Sequence, residues 1–144
     1  MTPEWPSSDG RIVAIVMLWL ASLAIVAYWA AFFSPAGPCR ASADRCYLVF
    51  ERSFPLPDGF VALSAALAAE GLRRRRPAGV LWALLMAGGF FFLAFIDIAY
   101  NLGNGMYALR SVGMAIETAI NFACLAFAIW LATFCWRRRR AFGA

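Results

Sequence analysis

Residues 73–100 read RRRRPAGVLWALLMAGGFFFLAFIDIAY. A block of four arginines and a helix-stopping proline are followed by a run, 78–100, in which Asp97 is the one charge. At ~1.5 Å per helical residue, such a run spans a hydrocarbon core of ~30 Å. The same punctuation recurs at the other end of the chain, where Arg137-Arg138-Arg139-Arg140 closes the apolar run 112–136. A third run, about 11–33, has no charge after Arg11. Its apolar length exceeds the ~7–15 residues of a signal-peptide core, so it is expected to stay as a span. A shorter run, about 56–72, ends with Glu70 beside the first Arg quartet, and arginine side chains reaching toward the headgroups lengthen its effective reach.

These four runs predict an all-α, polytopic membrane protein: a four-transmembrane-helix bundle with both termini cytoplasmic. The expected layout is an N-terminal tail over 1–10, a membrane domain over 11–136 and a basic tail over 137–144, with an outer loop over 34–55. Composition agrees. Of 144 residues, 63% are hydrophobic and 15% charged, and the mean hydropathy is +0.70, against nearly half apolar and a quarter charged in soluble domains. The charge sidedness orients the bundle. Arg11 and the two quartets Arg73, Arg74, Arg75, Arg76 and Arg137, Arg138, Arg139, Arg140 put nine arginines on one side. Arg40, Arg45, Arg52 and Arg110 put four on the other. The positive-inside rule places the nine in the cytoplasm, where they anchor topology and meet anionic lipid headgroups. The richness in Arg and Ala suggests a high-GC bacterial genome, so the expected location is a bacterial inner membrane.

The same counts exclude chemistry. There is no Lys and no His. A Schiff-base lysine, a histidine-ligated haem, a histidine-based triad and a histidine-rich zinc site are all ruled out. No cofactor is implied, and no metal-ligand set is read. A net charge of +5 could serve nucleic acid, but the arginines abut apolar spans and no basic fold carries them, so nucleic acid is set aside. A homo-oligomer or a partner in a membrane complex remains open.

Four cysteines are present. Cys39 and Cys46 share the outer loop, an oxidising setting in which a disulfide is expected. Cys124 and Cys135 lie in the last span and read as small apolar packing groups. Within the outer loop, Tyr47-Leu48-Val49-Phe50 is short, apolar and β-prone, and reads as an extended piece or an interfacial segment.

Functional interest centres on acids inside the spans. Asp97 is followed at i+4 by Asn101, and Glu117 at i+4 by Asn121, which puts each pair on one helix face. The turn cluster Asn101-Leu102-Gly103-Asn104-Gly105 folds these two spans into a hairpin and brings the pairs to similar depth. Glu51 and Asp58 flank the start of the short second span. Arg110, or Arg52, is the expected countercharge. Acids in a membrane rarely face lipid. Two readings follow. One is an outward-facing acidic pocket for a small amphipathic ligand, a proton or a cation. The other is a hydrogen-bonded network that holds the helices together. An enzyme acting on a lipid-soluble substrate with paired carboxylates, or a non-catalytic scaffold, are the alternative functions. The first span carries no acid, which separates the chain from the small multidrug exporters. The likeness to sterol-isomerase-like membrane proteins, which also bury acids in a small helical bundle, is one of architecture alone.

Overall fold

The computed structural model describes residues 8–35 and 39–138, and every regular element among them is helical. The predicted N-terminal tail up to residue 7, Arg139, Arg140 and the rest of the basic tail lie outside the described residues. In order, the elements are α1 (Ser8–Phe33), α2 (Arg45–Glu51), α3 (Pro55–Arg73), α4 (Ala78–Gly103), a 3-10 turn (Met106–Ala108) and α5 (Val112–Arg138).

Three helices, α1, α4 and α5, are long and apolar enough to cross a membrane. The protein is therefore read as a membrane protein. Its surface supports this: Leu20, Leu23, Phe92, Phe95, Phe122 and Ile129 stand more than half exposed on these helices. In water such a surface would drive association; in a bilayer it faces its own solvent.

The four longer helices pack in chain order: α1 on α3, α3 on α4, and α4 on α5. The small-residue face of α3 makes this close. Ala62, Ala65, Ala68 and Ala69 are buried, while Leu63 and Leu67 point out. On α4, Gly89 admits Val61, whose Cγ2 would stand 2.5 Å from any Cβ placed there. The α3–α4 link is tight as well. A Cβ on Gly79 would lie 2.6 Å from the backbone nitrogen of Leu72. Core residues Ala14, Leu18, Leu131 and Cys135 share one cluster at the arginine-rich end, where the Arg138 guanidinium lies against Gly10. At that end α1 and α5 converge.

Two expectations are corrected in the outer segment. Tyr47-Leu48-Val49-Phe50 is helical, not extended. Asp44 caps α2, its Oδ1 accepting from the Cys46 and Tyr47 amides at 2.8 and 3.3 Å. That local cap overrides the β preference of the side chains. The bridge expected between Cys39 and Cys46 is not formed: both are free thiols, Cys39 half-buried and Cys46 exposed. Cys124 is a half-buried free thiol and Cys135 a buried one.

Candidate functional site

The site grows from the docking of α2 beneath the α4–α5 hairpin. Ser111 Oγ donates to the Ala41 carbonyl at 3.1 Å and accepts from the Met114 amide at 3.1 Å. Gly113 leaves room for the Arg40 carbonyl, which a Cβ would strike. Phe50 stacks on Tyr100 with centroids 3.8 Å apart. These contacts fix α2 so that Tyr47 and Glu51, one turn apart on the same face, turn inward and are buried.

Tyr47 joins the two sides. Its hydroxyl accepts from the Ala41 amide at 3.1 Å and donates to Glu117 Oε2 at 3.0 Å. Asn101 Nδ2 donates to Glu117 Oε1 at 2.6 Å and makes a longer contact of 3.5 Å to Asp97 Oδ2. Asn121 Nδ2 also donates to Asp97 Oδ2. The two acid-amide pairs therefore cross-link α4 to α5: each amide reaches the acid of the opposite helix. Asn101 Oδ1 is buried and has no hydrogen-bond partner among the described residues. On the facing side, Trp29 Nε1 of α1 donates to Asp58 Oδ2 of α3 at 2.8 Å.

Glu51, Asp97 and Glu117 come together from α2, α4 and α5, each offering an oxygen within 4.8 Å of the others, and all three are buried. That spacing suits a bound cation, one of the occupants expected for the acidic pocket, although no metal-ligand set is read from the sequence. Asp97 and Glu117 accept hydrogen bonds, whereas the Glu51 carboxylate receives none from the described residues, although it is only 4% exposed. Burial, followed by the nearby charges of Glu117, Asp97 and Asp58, pushes its carboxyl from 4.5 up to about 8.

The expected countercharge is absent. Arg110 is exposed, beside a shallow groove with Tyr107 and Thr118, and Arg52 is exposed too. Among the described residues, ion pairs form only between Glu70 and Arg73 or Arg74, at the opposite end. The 3-10 turn and the capped end of α4 carry Arg110 past the hairpin to its outer face, so proximity in sequence does not become proximity to the acids.

A cavity of about 350 Å³ begins at these acids. Glu51, Asp58, Asp97, Glu117 and Asn121 line its polar end. Tyr28, Trp29 and Phe54 stand beside these acids, and Phe90, Leu93 and Phe127 line much of the rest. Its volume is at the lower end of the range for small-molecule pockets, and its apolar walls with a few convergent polar groups match their chemistry. Tyr47, Trp29 and Tyr28 were not foreseen as site residues. For Tyr47 the available signal was its i+4 spacing to Glu51, visible once Asp44 is recognised as a helix cap. In comparisons with protein families, curated proteins and solved structures, nothing matches the chain.

Proposed function

We propose that the protein is a polytopic inner-membrane protein that binds a small amphipathic ligand or cation in a pocket that is apolar along its walls and acidic at its outer end. In this reading α3 is a fourth crossing. Its 19 residues reach roughly 28 Å at ~1.5 Å each, near the ~30 Å of the hydrocarbon core. Its burial between α1 and α4 supports that placement. Both chain ends and both basic clusters then face the cytoplasm. The site residues are Glu51, Asp97 and Glu117, held by Asn101, Asn121 and Tyr47, with Asp58 at the wall. Arg110 has no part in it.

One observation carries this reading: three buried carboxylates converge on an apolar cavity, and among the described residues no basic group pairs with them. Closely spaced acids shielded from water cannot all keep bare negative charge. Protons or a bound cation must balance them. A purely structural network would more simply close on itself, without a cavity at its centre.

Dicyclohexylcarbodiimide tests this directly, because it dissolves in lipid and reacts with protonated carboxyls. In nanodiscs, the folded protein should acquire an adduct on Glu51. Ala24 of α1 and Ala123 of α5 line the cavity and are exposed, so Ala24→Trp with Ala123→Trp should narrow its opening and suppress the adduct. Absence of any adduct on Glu51, Asp97 or Glu117 would mean that the acids are sealed and serve only as interhelical glue.

A further inference from the structure

The hydrogen bonds around the acids are unequal. Asp97 accepts from Asn121 and Asn101, Glu117 from Tyr47 and Asn101, and Asp58 from Trp29. Their orientations are set by donors belonging to the protein. Among the described residues Glu51 receives no such donor, yet it is nine-tenths buried and lines the cavity. A buried carboxylate without a donor is costly unless its partner comes from outside.

The cavity also has a side door. Met17 and Ala24 of α1 and Ile120 and Ala123 of α5 line it while being exposed on the outer surface. The opening therefore lies between α1 and α5, which meet at the arginine-rich end. A ligand using it arrives from the acyl chains, not from water.

We propose that the occupant is a lipophilic organic monocation, an amine or quaternary ammonium with an apolar body, that enters laterally between α1 and α5 and places its charged head against Glu51. This rests on the reading of the site as a ligand pocket and specifies the ligand class. The apolar body fits against Phe90, Leu93 and Phe127. Tyr28, Trp29 and Phe54 stand at the polar end, where aromatic faces favour an ammonium group. A hard divalent ion fits less well. It takes about six or more oxygen ligands. Here several carboxylate lone pairs are already used by Tyr47, Asn101 and Asn121, and the open side of the cluster is hydrocarbon.

The head displaces the proton that otherwise neutralises Glu51. Groups facing Glu51 are Tyr28 from α1, Tyr47 on α2 itself, Asp58 from α3, Asp97 from α4 and Glu117 from α5, with no base among them. With a quaternary head, whose charge is independent of pH, affinity should therefore rise as pH is raised through about 8.

The test is equilibrium binding of dodecyltrimethylammonium, dodecanol and Mn²⁺ to the full chain in nanodiscs, with empty nanodiscs subtracted. The expected result is saturable binding of the ammonium, about ten-fold or more weaker in Glu51→Gln, and no saturable binding of dodecanol. Circular dichroism confirms that the variant is folded. Equal binding of dodecanol and the ammonium, both lost in Ala24→Trp with Ala123→Trp, would overturn the cationic class and leave the pocket standing. Saturable Mn²⁺ binding that needs Glu51, without ammonium binding, would replace it with a metal site. Ammonium binding unaffected by the tryptophan pair would place the ligand elsewhere and defeat both the class and the pocket reading.

Discussion

Glu51 is the residue on which the site's chemistry turns, and its behaviour on titration follows from its surroundings. Burial first, then Glu117, Asp97 and Asp58, hold its carboxyl at about 8 in the folded protein against 4.5 when unfolded. Below 4.5 the group is protonated in both states and costs nothing. Between 4.5 and about 8 the unfolded chain releases the proton while the fold retains it, so rising pH favours unfolding. Above that window the full cost persists. Glu51→Gln keeps the shape and removes the titration. Its thermal midpoint in detergent should decline less than the wild type's from pH 5.5 to 8.5, and at pH 8.5 it should be the more stable by about 1 kcal/mol or more. Parallel profiles by scanning fluorimetry would show that Glu51 is already ionised and balanced by a partner. The contrast with Glu70 is instructive: that acid sits at the surface, gripped by Arg73 and Arg74, and supplies little stability to lose.

At the scale of elements, the turn between α3 and α4 explains why the fold accepts so abrupt a reversal. Arg75 adopts a left-handed conformation, φ 55°, directly after the Arg74 cap. The Arg76 amide donates to the Gly71 carbonyl at 2.8 Å, and the Arg75 amide to the Leu72 carbonyl at 3.2 Å. This is a Schellman closure, in which glycine is the usual occupant of the left-handed position. Arg75→Gly should therefore raise stability by about 1 kcal/mol. Gly79→Ala should do the opposite, because its Cβ would press on rigid backbone, whereas Gly88→Ala, with nothing within 4 Å, should be neutral or better. Thermal melts of the three variants rank them; a harmless Gly79→Ala would contradict the close α3–α4 approach. The helices themselves were readable from the chain because apolar runs bounded by Pro35, Pro55, Pro77 and the arginine blocks leave few other ways to satisfy a backbone in lipid. The i+4 pairs Asp97–Asn101 and Glu117–Asn121 were readable for the same geometric reason. What α2 contributes was not, because residue preferences in a seven-residue segment are weaker than a single cap and its docking partners. Nor was the stranding of Arg110 readable, since the direction in which a loop side chain leaves a hairpin depends on the turn's dihedrals.

At the scale of the molecule, the polar site and the basic clusters occupy opposite ends, and this polarity makes a topological prediction. In the proposed four-span topology nine arginines lie on one side against four on the other, and positive charge near a span resists translocation, so the nine should stay in the cytoplasm. Fluorescent-protein fusions after residues 76 and 144 should glow, and alkaline phosphatase fusions after residues 43 and 105 should be active. The acids then open toward the outer leaflet. The prediction is sharpened by weakening its cause. Replacing Arg73, Arg74, Arg75 and Arg76 with Gln leaves Arg11 and the final quartet, five arginines against four. So small a bias should yield a mixed population in which both reporters at residue 144 give signal, while the reverse fusions gain what the others lose. The helix α3 feels the change most directly, since in the proposed topology it is the shortest crossing and its arginines sit at its end. If the substituted protein keeps a single orientation, loop charge does not decide its topology. If the unsubstituted fusion after residue 76 is active as a phosphatase, α3 does not return the chain to the cytoplasm, and the acids of α2 and α3 lose their common side.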